Sequence, residues 1–218
     1  MQKILIATRN AGKFKELMEV LEPLPFKFVS LNDEKIEGDI LESGQTYEEN
    51  AALKAEYFGK KADLPTLADD SGIVVEALSN ELGVQTRRWG AGEKASDEEW
   101  LNHFLARLAD ESNRQAHFIS VIALYWPGQS TQTFRGECKG TILKKPAVKL
   151  EPGIPLSSVF KPDGKEKVFS ALSKHDKNEI SHRGQAIKKC AAYLLTVILR
   201  RSDGTVGPTK NLPLNSLE

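Results

Sequence analysis

The sequence predicts a mixed α/β protein, and three observations support this class. An apolar run at residues 3–7 precedes a polar loop and a segment of helical periodicity, which is the order of a buried strand, a connection and a helix. Ser/Thr-x-x-Glu patterns at Thr46 and Ser96 have capping-box spacing and predict the starts of two further helices. Three later segments are β in character, with Pro127-Gly128 as a hairpin turn between the first two: 117–125, 131–135 and 140–143.

In the first third of the chain, strands and helices alternate. The first helix is expected from Lys13 until Pro23 stops its apolar periodicity. A second strand at 26–29 and an acidic loop at 32–45 follow. The helix that begins after this loop, at Thr46, is expected to end near Ala62.

The central segment is 67–72, two apolar residues followed by two acids, a serine and a glycine. We interpret it as the end of a short buried strand and a sharp turn at Ser71-Gly72. Because side chains alternate along a strand, Asp69 and Asp70 should point to opposite faces. One carboxylate can then hold a metal ion or a water while the other braces the turn. The alternative is an Asx-turn in which both acids cap backbone N–H groups.

The last part of the chain contains fewer clear signals. Residues 73–78 continue as a strand or a short helix, and 144–155 are expected to be irregular because they hold three prolines. Pro162-Asp163-Gly164 predicts a turn. Ser181 is the expected N-cap of a last helix, and the Gly-, Pro- and Asn-rich segment 202–218 is expected to be a loose tail.

Length and composition limit the classes of partner and location that the chain can have. A chain of 218 residues fits one large domain or two lobes that share a cleft. Thirty basic residues balance thirty acidic ones, so no overall field favours nucleic acid or an anionic membrane as a partner. No stretch could span a bilayer, and the first apolar run is too short for a signal peptide. Cys138 and Cys190 have neither metal-ligand nor disulfide spacing, which favours a reducing, cytoplasmic location.

The loop between the first strand and the first helix is a candidate phosphate site. A helix N-terminus offers unpaired N–H groups and the positive end of a dipole, and Thr8, Asn10 and Lys13 can add hydrogen bonds and a cation. The loop is not a Walker A motif, because the first glycine is missing and Phe14 follows the lysine. The alternative is an ordinary connection with a solvated lysine. Two other segments offer similar groups: Asn50 with Lys54, and Lys177 with His182-Arg183.

Two acids complete a possible reaction centre. Asp70 and Glu42 supply the hard oxygen ligands that Mg²⁺ accepts, and Glu42 is the acid best placed to meet Asp70. Arg183 offers a planar fork for a phosphate or a base carbonyl. These groups suit metal-assisted attack of water on a polyphosphate. The simpler alternatives are a solvated helix face for Lys54 and a structural role for His182.

Four segments, in this order and at this spacing, resemble the inosine triphosphate pyrophosphatases, a family that hydrolyses non-standard purine nucleoside triphosphates. The likeness extends to about Arg200. The segments are Ala7-Thr8-Arg9-Asn10-Ala11-Gly12-Lys13, the stretch from Glu42 to Ala55, Ala68-Asp69-Asp70-Ser71-Gly72, and the stretch from Lys177 to Gly184.

The resemblance implies an elongated two-lobed α/β fold around a long mixed sheet flanked by helices, here a single domain over residues 1–201. It implies a nucleotide cleft between the lobes, a homodimer, and cleavage between the α- and β-phosphates to give a nucleoside monophosphate and pyrophosphate. Clearing ITP, dITP and XTP from the nucleotide pool would be the cellular role.

The resemblance also assigns roles by position. Glu42 and Asp70 would bind Mg²⁺, and Asp70 would activate the water. His182 and Arg183 would recognise the 6-keto edge of the purine. The remaining residues would bind substrate, with those of the first loop on the phosphates: Thr8, Arg9, Asn10, Ala11, Gly12, Lys13, Lys54, Ser71 and Lys177.

The chain departs from the family where the base should lie. The family has Gly-Phe-Gly-Tyr-Asp-Pro, whose aromatic ring stacks on the purine and whose acid hydrogen-bonds it, whereas this chain has Gly153-Ile154-Pro155-Leu156-Ser157-Ser158. A further family acid is replaced by Ala171, and Trp89 is a candidate for a substitute ring. Two alternatives follow: a pyrophosphatase with altered or relaxed base specificity, and a nucleotide-binding regulatory module with little catalysis.

Overall fold

The structure is a computed structural model that describes residues 1–79, 81–86, 89–92 and 94–202, without the side chains of residues 85 and 198–202. The helices of this part are α1 (Ala11–Leu21), α2 (Tyr47–Ala62), α3 (Asp97–Arg107), α4 (Lys174–Ile180) and α5 (His182–Ser202). The strands are β1 (Lys3–Ile6), β2 (Lys27–Ser30), β3 (Thr66–Val75), β4 (Gln115–Tyr125), β5 (Gln132–Ile142) and β6 (Phe160–Pro162). The expected tail lies outside the described residues from position 203 onward.

One mixed sheet organises the described chain, in the order β2-β1-β3-β4-β5-β6. β1 pairs in parallel with β2 and β3, and the other neighbours are antiparallel. β3 pairs with β4 along its whole length but with β1 only at Thr66 and Leu67. Beyond Leu67, the edge of β3 that would face β1 therefore has no strand beside it in the described part of the chain.

Three apolar clusters pack the helices against the sheet and divide the fold into two lobes. At the β1 end, one face packs against α1 and α5 through Ile6 and Leu194, and the opposite face packs against α2 through Ala55. At the far end, Phe104 and Phe160 belong to a third cluster, which closes the second lobe. The expected mixed α/β sheet flanked by helices is confirmed.

Local signals placed most of the elements correctly. Asn10 caps α1, and Thr46 and Ser96 form complete capping boxes at the starts of α2 and α3. The Ser181 hydroxyl accepts a hydrogen bond from the Gly184 N–H at 3.0 Å, so it caps α5 as expected. The segment 73–78 is strand up to Val75 and a short 3₁₀ helix after it. None of the described helices combines the length and apolar character needed to cross a membrane.

The turn expected at Ser71-Gly72, and the Asx-turn alternative with it, are wrong. β3 continues from Thr66 through these residues to Val75, because each of its ten residues pairs with β4. Gly72 serves a close approach instead: a Cβ there would lie 2.3 Å from the Gly83 carbonyl oxygen.

The C-terminal half contains further differences from expectation. The two strands expected at 131–135 and 140–143 are one continuous strand, β5, whose exposed and buried residues alternate. Gly136, which lies between the two expected segments, marks a close approach, since a Cβ there would lie 2.1 Å from the His182 carbonyl oxygen. The short elements β6 and α4 were not expected from the sequence.

Candidate active site

A cleft of about 380 Å³ lies beyond the end of β1, beside the edge of β3 that no strand covers. Most of the residues singled out from the sequence line it: Thr8, Arg9, Asn10, Lys13, Glu42, Lys54, Asp70, Ser71, His182 and Arg183. Ala11, Gly12 and Lys177 do not line it, although the first two begin α1 at its rim. The volume falls in the range of small-molecule sites.

Asp69 and Asp70 point to opposite faces of β3, as expected. Asp69 is 3% exposed, and its carboxylate accepts a hydrogen bond from the Ser120 hydroxyl at 2.6 Å. Lys13 Nζ lies 2.6 Å from Asp69 Oδ2, and Arg183 Nε lies 3.4 Å from Oδ1. Burial opposes ionisation of Asp69, but Arg183 and Lys13 outweigh it and hold its pKa well below the usual value. Asp69 is therefore an ionised anchor for two cations.

Behind Asp69 lies a second acid that the sequence analysis missed. Glu16 pairs with Arg183, and Lys177 Nζ lies 2.6 Å from Glu16 Oε1. Burial alone would raise the pKa of Glu16, but Arg183 and Lys177 lower it to about 2. Arg183 Nη2 also donates to the Ser71 hydroxyl at 2.9 Å. Glu16 lies three residues after Lys13 on α1, a helical spacing that offered the one local signal for it.

On the opposite face, Lys54 joins the two acids proposed for the metal. Its Nζ lies 2.9 Å from Asp70 Oδ1 and 2.8 Å from Glu42 Oε1. Asp70 Oδ2 is buried and has no hydrogen-bond partner among the described residues. Burial raises the pKa of Asp70 above its usual value, against the lowering effects of Lys54 and Lys13. The carboxylates of Glu42 and Asp70 thus both contact the ammonium group of Lys54.

This arrangement fits a bound Mg²⁺. A buried carboxylate oxygen without a partner, close to a second carboxylate, is a suitable hard ligand. No group of three or more His, Cys, Asp or Glu side chains in the described part of the chain could enclose a metal ion. Magnesium usually keeps waters and takes ligands from substrate phosphates, so two protein carboxylates are enough.

The loop before α1 is fixed by its own contacts. Asn10 Oδ1 accepts from the Lys13 N–H at 3.0 Å, and Asn10 Nδ2 donates to the Gly153 carbonyl at 2.9 Å. Arg9 Nη2 donates to the Gly38 carbonyl at 2.7 Å, so Arg9 holds the acidic loop against the site. Asn50, which the sequence analysis grouped with Lys54 as a phosphate ligand, does not line the cleft.

His182 forms the wall at the other end. Its ring stacks on Phe118 with centroids 4.5 Å apart and planes 10° apart. Burial, followed by the charge of Arg183, lowers the pKa of His182 to about 3, so the ring is neutral. Its Nδ1 has no hydrogen-bond partner among the described residues.

The segment that departs from the family motif reaches the same end of the cleft. Ile154, Pro155, Leu156 and Ser157 all line it. Trp89, considered as a substitute ring, instead packs edge-on against Trp100 and Phe104 and does not line the cleft. Arg87 and Arg88 lie outside the described residues.

Comparison with known proteins identifies the family. The model of the Ham1 family matches residues 4–193 of this chain. This chain belongs to the Ham1 family. A dITP/XTP pyrophosphatase of Deinococcus deserti is 38% identical over 186 residues, covering 85% of this chain and 86% of the relative. A dITP/XTP pyrophosphatase of Bacillus subtilis is 36% identical over 196 residues, covering 89% and 98%.

Solved Ham1 structures share the fold. A HAM1 protein from Coxiella burnetii aligns with a TM-score of 0.77 at 35% identity, covering 90% of this chain and 100% of its own. The Ham1 protein of Staphylococcus aureus aligns with a TM-score of 0.75 at 33% identity, covering 89% and 99%. The resemblance inferred from four short segments is confirmed, and residues from all four of these Ham1 segments line one cleft.

Proposed function

We propose that this chain is a Mg²⁺-dependent nucleoside triphosphate pyrophosphatase. It hydrolyses dITP, ITP and XTP to the nucleoside monophosphate and pyrophosphate. Its Ham1 relatives are named dITP/XTP pyrophosphatases. The observation that carries the proposal is the pairing of Asp70 with Glu42 through Lys54, next to the N-terminus of α1.

In this proposal the chain supplies charged side chains, the dipole of a helix N-terminus and a general base that accepts a proton. Glu42 and Asp70 would hold Mg²⁺, which when bound would neutralise phosphate charge and lower the pKa of a bound water. The first turn of α1 directs N–H groups at the phosphates, and Lys13 and Lys54 balance charge that develops on the leaving pyrophosphate. Asp70 accepts the proton of the attacking water, because its buried Oδ2 has no hydrogen-bond partner among the described residues, whereas both carboxylate oxygens of Asp69 are engaged.

The purine base of the nucleotide is proposed to lie against His182 and the 153–157 loop. Because His182 is neutral, it can both donate and accept a hydrogen bond toward a 6-keto purine. Arg183 is the second group proposed to read the base, and Ser71, its hydrogen-bond partner, contacts the nucleotide beside it. Lys177 would act indirectly: it pairs with Glu16, and Glu16 pairs with Arg183.

A second candidate is a pyrophosphatase with relaxed base specificity. Ile154 and Ser157 line the cleft at the positions where the family has the stacking ring and the acid. Stacking on an aromatic ring is worth about 1–3 kcal/mol, so its loss could reduce discrimination by about one to two orders of magnitude.

The proposal also includes a cytoplasmic homodimer. The buried free thiols of Cys138 and Cys190 suit a reducing compartment. The dimer rests on the family resemblance, and light scattering coupled to gel filtration tests it directly. No nucleic-acid or membrane partner is proposed, given the zero net charge.

The deciding experiment measures pyrophosphate release from ITP, dITP, XTP, GTP, ATP and dUTP, with and without Mg²⁺. A strong preference for ITP, dITP and XTP over GTP, ATP and dUTP supports the first candidate. Metal-dependent but indiscriminate turnover supports the second. Failure to turn over any of the six, together with tight nucleotide binding, would favour a regulatory binding module instead.

A further inference from the structure

The loop that carries Glu42 has little packing of its own. Leu41 is 80% exposed, and Ser43 and Gln45 are also exposed, whereas Glu42 must reach inward to Lys54. A loop whose flanking side chains lie in solvent cannot hold a carboxylate in place through apolar contacts. Apart from the Arg9 contact at Gly38, its position depends on hydrogen bonds to the helix that follows.

Asn50 in the first turns of α2 provides such a contact. The Gly44 N–H, two residues after Glu42, donates to Asn50 Oδ1 at 2.8 Å. A Cβ at Gly44 would lie 2.7 Å from this same oxygen and 2.7 Å from Glu49 Cβ. The loop backbone therefore lies directly on the helix, at a distance that only glycine permits.

The cost of placing Asn50 there supports a specific role. Asn50 is 1% exposed, and its Nδ2 has no partner among the described residues. Asparagine is a poor helix former, and burying an amide nitrogen without a partner costs about 1–3 kcal/mol. Apolar residues would fill the position more stably, so the retained amide points to the one bond it makes, to Gly44.

Asn50 and Lys54 lie four residues apart on one face of α2, and both act on the same loop. Asn50 holds its backbone at Gly44, and Lys54 pairs with the Glu42 carboxylate. We infer that Asn50 is a positioning residue that sets where Glu42 lies relative to Asp70. This inference rests on the proposed function, in which these two acids hold Mg²⁺.

The test compares Asn50→Leu, a near-isostere without the acceptor, with Asn50→Asp, which keeps it. Removing groups that orient metal ligands typically weakens metal affinity about 10–100-fold. We expect Asn50→Leu to raise the Mg²⁺ concentration for half-maximal activity by about tenfold or more, with KM for the nucleotide at saturating Mg²⁺ nearly unchanged. Asn50→Asp keeps the acceptor for the Gly44 N–H but buries a charge, so it is compared only by hydrogen exchange. Asn102→Leu, the same change on an exposed face of α3, is the matched control.

Two further measurements keep the inference falsifiable. Hydrogen exchange at the Gly44 amide should accelerate in Asn50→Leu but not in Asn50→Asp, whether or not the enzyme is active. Gly44→Ala disrupts the same contact from the loop side and should raise the Mg²⁺ requirement in the same way. It replaces Asn50→Leu as the test variant if Asn50→Leu does not fold. A folded Asn50→Leu protein with wild-type Mg²⁺ dependence would overturn the inference.

A double-mutant cycle decides whether Asn50 acts through Glu42. In a Glu42→Gln background, Asn50→Leu should not change the Mg²⁺ dependence further, whereas an additive effect would overturn the inference. If the wild type shows no Mg²⁺-dependent turnover, the proposed function fails. Exchange at Gly44 then still decides whether Asn50 holds the loop.

Discussion

Asp69 and Asp70 are neighbours in β3, yet their carboxylates lie on opposite faces of the sheet and differ in their partners. Asp69 contacts Lys13, Arg183 and Ser120, and its pKa is held well below the usual value. Asp70 contacts Lys54 through one oxygen only, and burial raises its pKa. A strand that continues straight through the pair separates the two environments, which allows one acid to anchor cations while the other remains available to a metal and a water.

This separation predicts different consequences for the two isosteric changes. Asp70→Asn removes the base and a metal ligand, so kcat should fall by roughly 10²–10⁴-fold while nucleotide affinity changes little. Asp69→Asn leaves Lys13 without its carboxylate partner and Arg183 with Glu16 alone, so the free energy of unfolding should fall by about 3–5 kcal/mol. Single-turnover kinetics, nucleotide titration and urea unfolding measure the three quantities. Unchanged turnover in Asp70→Asn would refute its proposed role.

Glu16 should make stability depend on pH. Its pKa is about 2 in the folded protein against 4.5 ordinarily. The stability it contributes is therefore fully present above pH 4.5 and lost as the pH falls toward 2. Glu16→Gln should lower the free energy of unfolding by about 3 kcal/mol at neutral pH, since it leaves Arg183 and Lys177 short of a partner.

The difference between the wild type and Glu16→Gln should shrink on acidification below pH 4.5. Urea unfolding at neutral pH, at pH 5 and at pH 3.5 measures it. Glu98→Gln, the same change at an exposed position, is the control for loss of a negative charge. A difference that stays constant down to pH 3.5 would show that Glu16 is not held ionised by its two partners.

Local signals explain what the sequence could predict. An apolar run of strand length defined β1, and a Thr or Ser with Glu three residues later defined the starts of α2 and α3, because each of these devices operates within one turn or one strand. The site residues could be predicted for two reasons. The loop before α1 and the two acids carry recognisable local chemistry, and each predicted residue also lies in a short segment that resembles a family motif.

The network behind the site depends on contacts between distant parts of the chain. Glu16 meets Arg183 across 167 positions, and Ser120 meets Asp69 across 51. No local pattern specifies such pairs. Gly72 was interpreted wrongly for a related reason: it suggested a turn, but it makes room for the backbone of Gly83, from another part of the chain.

Ile154 offers a direct test of the divergent base segment. Ile154→Phe places a ring where the related family has one, and stacking worth about 1–3 kcal/mol should raise kcat/KM for ITP by about tenfold. Ile154→Leu keeps an apolar side chain without a ring and should leave kcat/KM within about twofold of the wild type. The comparison is made with ITP and with a ribose triphosphate that lacks a base. Equal gains on both substrates would show that the ring does not contact the base.

Gly136 couples the sheet to the start of α5. A Cβ there would lie 2.1 Å from the His182 carbonyl oxygen and 2.8 Å from the Ala186 backbone nitrogen, so Gly136→Ala must displace the helix. The free energy of unfolding should fall by about 1–3 kcal/mol. Because His182 and Arg183 begin α5, KM for the nucleotide should rise as well, by about tenfold on the scale of stacking and hydrogen-bond losses.

Gly128→Ala is the control for this prediction. Gly128 has a φ of +78°, but no atom lies within 4 Å of a Cβ placed there, and it sits in the β4–β5 turn. Its substitution should cost about 1 kcal/mol from backbone strain and leave KM unchanged. Urea unfolding and steady-state kinetics below the unfolding temperature separate the two effects. If Gly136→Ala lost stability with an unchanged KM, the position of α5 would not control nucleotide binding.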